Sequence, residues 1–101
     1  MDLYPDQARS YLYMAQAMHL NQAYAEGLNY TNEGLFMTGS DQHLKAELLL
    51  TKAELHLSLG NLELAENTLH SALEVYPDYS LAKGTLALLL TKKGLKPDEK
   101  T

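Results

Sequence analysis

Residues 46–79 read AELLLTKAELHLSLGNLELAENTLHSALEVYPDY, and this stretch decides the fold. Its candidate core residues recur three and four positions apart, which is the spacing of one face of an α-helix. They are Leu49, Ala53, His56 and Leu57 in the first half and Leu62, Ala65, Leu69, Ala72 and Leu73 in the second. The pattern predicts two helices that pack against each other along this face.

Turn-forming residues mark the ends of the two helices. Gly60 can adopt the left-handed conformation that ends a helix, and Asn61 can then cap the next one. Pro77 cannot continue a helix interior, so we expect the second helix to stop near Val75 or Tyr76. The stretch therefore reads as a helical hairpin with a tight turn.

The order of large and small residues in this hairpin resembles the tetratricopeptide repeat, a 34-residue motif of two antiparallel helices. Small residues at the contact let the backbones approach while larger ones fill the space beside them. Two positions depart from the family pattern: His56 stands where an aromatic residue or leucine is usual, and Lys52 where leucine is usual. The matching residues are Leu49, Ala53, His56, Ala65, Leu69, Ala72 and Pro77.

The motif recurs on both sides of this hairpin. A shift of 34 residues pairs Ala53 with Ala87 and Gly60 with Gly94, so residues 80–94 resemble half of another repeat. Residues 8–41 match more loosely, and the distance from Ala15 to Ala53 is 38 residues rather than 34, which we read as one extra helical turn after residue 40. The resemblance implies an all-α fold of about five helices, stacked as antiparallel pairs in a short right-handed superhelix. Repeats then cover 8–41, 46–79 and 80–94, with a tail over 95–101.

Composition supports a single helical domain. The chain has 101 residues, with 22 leucines, 11 alanines, one valine and no isoleucine, a bias that favours helix over strand. We predict one domain over 1–101 with helices over about 5–20, 23–37, 41–59, 61–76 and 79–93. Gly27 and Gly34 fall inside the second helix at small-residue positions, and we attribute them to close helix packing rather than to a hinge.

The charge distribution limits the classes of partner. Residues 1–80 carry 3 basic and 11 acidic side chains, whereas residues 81–101 carry 5 basic and 2 acidic ones. An acidic body argues against nucleic acid, which needs clustered lysine and arginine. No apolar run is long enough to span a bilayer, and the N-terminus lacks a basic-then-apolar secretion signal. We expect a cytoplasmic protein without a nucleic-acid or membrane partner.

No motif indicates catalysis or a bound cofactor. There is no cysteine, and no two histidines have the i, i+4 spacing of a helical metal site. We read His56 as a core residue and the helical glutamates as solvent-facing, so we predict no enzyme activity, no cofactor and no metal. One alternative stays open, a small pocket near Tyr11, Tyr13 and His19 that binds a metabolite or a metal.

The resemblance also implies a concave groove lined by the first helix of each repeat. Only Arg9 is basic there, and Glu47 and Glu54 would repel a carboxylate, so the carboxylate clamp of some family members is absent. Leucines flanked by acidic residues suit a helical or apolar peptide instead. The groove positions are Arg9, Leu12, Gln16, His19, Glu47, Leu50, Glu54, Leu57, Leu81, Gly84, Leu88 and Thr91.

The last predicted helix is apolar all round over residues 86–90, and no sixth helix follows to cover it. We expect Leu86, Leu89 and Leu90 to be exposed and to drive homodimerisation, since burying one leucine stabilises by roughly 1.5–3 kcal/mol. The sequence thus favours a protein–protein interaction scaffold that binds a protein or peptide partner. Two alternatives stay open: a terminal fragment of a longer repeat protein whose exposed faces are cut interfaces, and a small secretion-type chaperone.

Overall fold

A computed structural model of the chain describes residues 5–94, which form five α-helices. No strand occurs in this part of the chain, and none of its helices is both long and apolar enough to cross a membrane. The all-α prediction is confirmed, and each helix ends within one residue of its predicted limits. The helices are α1 (Pro5–Leu20), α2 (Tyr24–Phe36), α3 (Gln42–Leu59), α4 (Leu62–Val75) and α5 (Ser80–Lys92). The predicted tail over 95–101 lies outside the described residues.

Local interactions set the helix ends. Asp41 caps α3, because its Oδ1 atom accepts a hydrogen bond from the Leu44 amide at 3.0 Å. Gly60 ends the same helix in the left-handed conformation, with φ at 83°. The predicted side-chain cap at Asn61 is wrong, since that side chain makes no capping hydrogen bond. The Asn61 amide instead donates to the His56 carbonyl at 2.8 Å, so backbone hydrogen bonds hold this turn.

The helices form a curved array of two layers. Each helix packs on the next one along the chain, and α3 also packs on both α1 and α5. Within the described residues α2 and α4 do not meet, so the array curves with α1, α3 and α5 on its concave side. The Cα atoms span 44 × 28 × 16 Å, which is about two helices thick at the 8–10 Å spacing of packed helices.

Most of the core falls into two clusters. The larger joins α3, α4 and α5, and the alanines predicted at the helix contact, Ala53, Ala65 and Ala72, are fully buried in it. The smaller cluster joins α1 to the first half of α3 and contains Ala8, Leu12, Leu44 and Leu48.

The spacing of Tyr11, Met14, Ala15 and Met18 predicts that they form the inner stripe of α1, and this prediction is partly wrong. Ala15 is buried, but Met14 is 41% exposed and Leu12 lies inside instead. The reason is the length of α3, whose early residues Leu44 and Leu48 pack on Leu12. A longer α3 therefore changes which face of α1 is covered.

Two glycines of α2 lie where a neighbouring helix approaches closely. A β-carbon at Gly27 would lie 2.9 Å from Leu55 Cδ2, and one at Gly34 would lie 2.9 Å from Leu48 Cδ2. Both leucines are fully buried and belong to α3. Close packing between α2 and α3 therefore accounts for both glycines, as the sequence predicted.

Candidate functional site

The concave layer presents most of the predicted groove positions to solvent. Arg9, Gln16 and Gly84 are exposed, and Leu57 is half-buried. The predicted groove leucines that are exposed lie on α5, where Leu81 is 63% and Leu88 is 56% exposed. Because these two leucines are seven residues apart, they lie on one side of α5 about two turns apart.

Two predicted groove residues belong to the core instead. Leu12 is 1% exposed because α3 covers it through Leu44 and Leu48. Leu50 is 7% exposed because α5 packs directly on α3 and brings Leu89 and Leu90 into the same cluster. A partner cannot contact either leucine without opening the fold. Of the predicted groove leucines, Leu81 and Leu88 of α5 stay exposed and Leu57 of α3 is half-buried.

An acidic side chain of α3 lies next to an exposed leucine of α5. Glu47 and Glu54 are both half-buried, and Glu47 lines a cavity together with Leu81. We call Glu47, Glu54, Leu81 and Leu88 the acidic–apolar surface. It combines negative charge with uncovered apolar area at the junction of two helices.

The carboxyl group of Glu54 is only partly solvated, because it is half-buried. Burial raises the pKa of its carboxyl group, and the nearby His19 ring partly offsets that effect. His19 lies at the end of α1, where its Nε2 atom is 2.9 Å from the Ser58 hydroxyl of α3. A cation docked on this surface would therefore stabilise a carboxylate that water reaches only in part.

A cavity of about 370 Å³ opens where α3 and α5 begin. Three aromatic rings shape it: the centroids of His43 and Tyr76 are 4.4 Å apart, and those of Tyr76 and Tyr79 are 5.3 Å apart with the rings nearly parallel. We call it the aromatic–acidic cavity. Its lining consists of His43, Glu47, Tyr76, Asp78, Tyr79, Ser80 and Leu81.

The negative charges in this region act on the hydroxyl group of Tyr79. Its pKa is raised by burial and then by the negative charges of Glu47 and Glu54 and by Tyr76. The phenol therefore stays neutral, and the field of the two α3 carboxylates reaches the cavity.

The sequence analysis assigned no functional role to Tyr76 and Tyr79, because the Pro77-Asp78 pair between them was interpreted only as the end of a helix. The usable signal was a tyrosine on each side of Pro77-Asp78. Such a turn brings both rings to one end of the array.

The expected self-association residues of α5 point inward, which corrects that prediction. Leu89 is fully buried, Leu90 is 7% exposed, and Leu86 is half-buried against the larger cluster. The physical reason is that α5 packs on both α3 and α4, so two of its sides are covered within one chain. Its exposed positions carry Lys83 and Ala87 as well as Leu81 and Leu88, so the uncovered part of α5 is only partly apolar.

His56 is a core residue, as predicted. It is 8% exposed, and its Nδ1 atom has no hydrogen-bond partner among the described residues. Burial, followed by the positive charge of Lys52, lowers the pKa of its ring. Among residues 5–94, no three histidine, aspartate or glutamate side chains are placed to hold a metal ion.

No protein-family model, curated protein or solved structure matches this chain.

Proposed function

We propose that the protein is an interaction module of tetratricopeptide type that binds a basic, amphipathic helical or extended segment of another protein. The observation that carries this proposal is the acidic–apolar surface. Leu81 and Leu88 are more than half exposed, although covering a leucine is worth roughly 1.5–3 kcal/mol. Glu47, which shares a cavity with Leu81, and Glu54 on the same helix favour a partner of positive charge.

The helix arrangement supports the tetratricopeptide interpretation. In that family the first helix of each repeat lines the concave groove. The helices that would correspond here are α1, α3 and α5, and α3 packs on both of the others. The helix pair α3–α4 also carries the buried small residues Ala53, Ala65 and Ala72 at their contact. The unusual His56 is tolerated as a buried residue in this arrangement.

The charges of the surface select among possible ligands. Arg9 is the one lysine or arginine among the groove positions, and it lies on α1, away from the leucines of α5. An anionic segment or a free carboxylate would meet Glu47 and Glu54 without a compensating cation. A segment with leucine-like and lysine- or arginine-like residues on one side fits both features.

Peptide display on the immobilised protein tests the proposal. We expect selected peptides to combine apolar and basic residues at helical or alternating spacing. Their affinity for a Leu81→Ala/Leu88→Ala variant should fall at least about tenfold, because two buried leucine contacts are lost. A Phe36→Ala/Leu64→Ala variant is the control, since it removes two exposed apolar side chains from α2 and α4. The proposal fails if no peptide is enriched, or if both variants bind the selected peptides equally.

Self-association, if it occurs through α5, has to use the exposed leucines. Within one chain Leu89 and Leu90 are buried and Leu86 is half-buried, whereas Leu81 and Leu88 are exposed to a second copy. Light scattering on a dilution series, repeated with the Leu81→Ala/Leu88→Ala variant, measures this. A dimer that the variant abolishes would assign the acidic–apolar surface to homodimer formation. A monomer would leave that surface open to another protein.

A further inference from the structure

We infer that the aromatic–acidic cavity is a binding site for an arginine side chain, supplied by the segment that docks on the acidic–apolar surface. The second half of this statement rests on the proposed function. The cavity itself, with its rings and carboxylates, belongs to this chain alone.

The size and the rings of the cavity suit a planar cation. Its volume of about 370 Å³ is near the lower end of ligand pockets, which span roughly 300–1,000 Å³, so it admits one side chain rather than a large cofactor. Tyr76 and Tyr79 are stacked with 23° between their planes, and the His43 ring stands against Tyr76 at 52°. Aromatic faces attract cations, and the flat guanidinium group also stacks on them, which a lysine ammonium does not.

The charge of the cavity is uncompensated within the described residues. Glu47 and Asp78 line it, and no lysine or arginine does. Among residues 5–94 neither carboxylate takes part in an ion pair, since the ion pairs there join Glu66 to Lys93 and to His70. A guanidinium has five N–H donors in a planar fork, so it can meet a carboxylate with two parallel hydrogen bonds.

Other ligand classes fit the cavity less well. Ser80 and Leu81 place the start of α5 at the cavity, but two carboxylates oppose any anion that a helix N-terminus would otherwise attract. His43, Glu47 and Asp78 do not converge as a metal site, since no such group of three occurs in the described part of the chain. Arginine satisfies the rings and the carboxylates together.

Titration with N-acetyl-arginine amide, followed by amide and tyrosine-ring NMR shifts, tests the inference. We expect saturable shifts at His43, Tyr76 and Tyr79, and none from the equally shaped but uncharged N-acetyl-citrulline amide. N-acetyl-lysine amide should bind more weakly. Equal binding of the citrulline or the lysine compound would overturn the assignment.

Matched variants locate the binding. Glu47→Gln/Asp78→Asn should weaken arginine binding by about fivefold, the scale of one or two partly exposed ion pairs. Glu63→Gln/Glu74→Gln makes the same change of net charge at exposed positions of α4 and should have no effect. Leu81→Lys places a cation at an exposed lining residue and should abolish binding. Equal effects of the two charge-neutralising double variants on arginine binding would contradict a cavity site. Full arginine binding by the Leu81→Lys variant would also contradict it.

The same variants separate this inference from the proposed function. Display-selected peptides that contain arginine should lose affinity with Glu47→Gln/Asp78→Asn, and replacing their arginine by citrulline should remove that sensitivity. If peptides bind equally well to the Glu47→Gln/Asp78→Asn variant and with citrulline in place of arginine, the proposed interaction module stands and the arginine site is refuted. If N-acetyl-arginine amide binds but no peptide does, the cavity site stands and the proposed interaction module is refuted.

Discussion

Gly34 of α2 lies so close to Leu48 of α3 that a β-carbon at position 34 would stand 2.9 Å from Leu48 Cδ2. The same β-carbon would be 3.1 Å from the Cβ atom of Tyr11 on α1. Three helices therefore meet at one glycine. A glycine inside a helix costs roughly 1 kcal/mol relative to alanine, and the close contact of three helices offsets that cost.

Replacing Gly34 by alanine should destabilise the protein by about 1–3 kcal/mol. The added methyl group must displace the buried Leu48 and the Cβ of Tyr11, and overpacking of this kind outweighs the gain in helix propensity. Urea denaturation followed by circular dichroism measures the change. Gly84→Ala is the control, because nothing lies within 4 Å of its added β-carbon, and it should stabilise by roughly 1 kcal/mol. Stabilisation by both variants would contradict the close contact.

Truncation of two adjacent leucines of α5 should have very different effects on stability. Leu89→Ala should lower the free energy of unfolding by about 2–5 kcal/mol, because Leu89 of α5 is fully buried against α3 and α4. Leu88→Ala should change stability by no more than about 0.5 kcal/mol, because the side chain is 56% exposed. Thermal or urea unfolding of the two variants decides the point. Similar losses for both would mean that α5 is rotated from the orientation described.

The caps of α3 and α4 should differ in strength. Asp41→Ala should cost about 1 kcal/mol, since it removes the hydrogen bond from the Leu44 amide to the carboxylate. Asn61→Ala should cost only a few tenths of that, because the Asn61 side chain makes no capping hydrogen bond. Unfolding free energies of the two variants provide the test. An equal cost would show that Asn61 caps α4 in solution.

His56 should make the protein less stable in mild acid. Its pKa is lowered in the fold from the ordinary value of 6.5, first by burial and then by Lys52. Below pH 6.5 the unfolded chain therefore takes up a proton that the folded chain refuses, and stability falls until the pH passes the lowered pKa. Above pH 6.5 the ring is neutral in both states and the effect vanishes. Urea unfolding at pH 5 and at pH 8 measures it.

His56→Leu isolates this effect from the other titrating groups. Leucine leaves no buried nitrogen without a partner, so the variant should be more stable than the wild type by about 1 kcal/mol at neutral pH. The difference between variant and wild type should grow as the pH falls from 8 to 5. A difference that stays constant with pH would show that His56 does not titrate in this range.

Much of the fold followed from local chemistry in the sequence. Helix lengths came from apolar residues three and four apart, and helix ends from Gly60 and Pro77, because such residues act on their own backbone or on the next turn. The predicted small-residue contact at Ala53 and Ala65 was also confirmed. These features need no knowledge of distant neighbours.

The functional surface depended on tertiary structure. The helices α3 and α5 carry leucines on several sides, so periodicity could not tell which side a neighbour covers. Packing of α5 against both α3 and α4 buried Leu50 and Leu89, and it left Leu81 and Leu88 open.

The aromatic–acidic cavity joins residues far apart in the chain, with His43 at the start of α3 and Tyr76 after α4. The sequence by itself determined the five helices and the acidic balance. Only the tertiary structure decided which leucines a partner can reach and where the rings and carboxylates meet, because burial depends on contacts between segments that sequence periodicity does not specify.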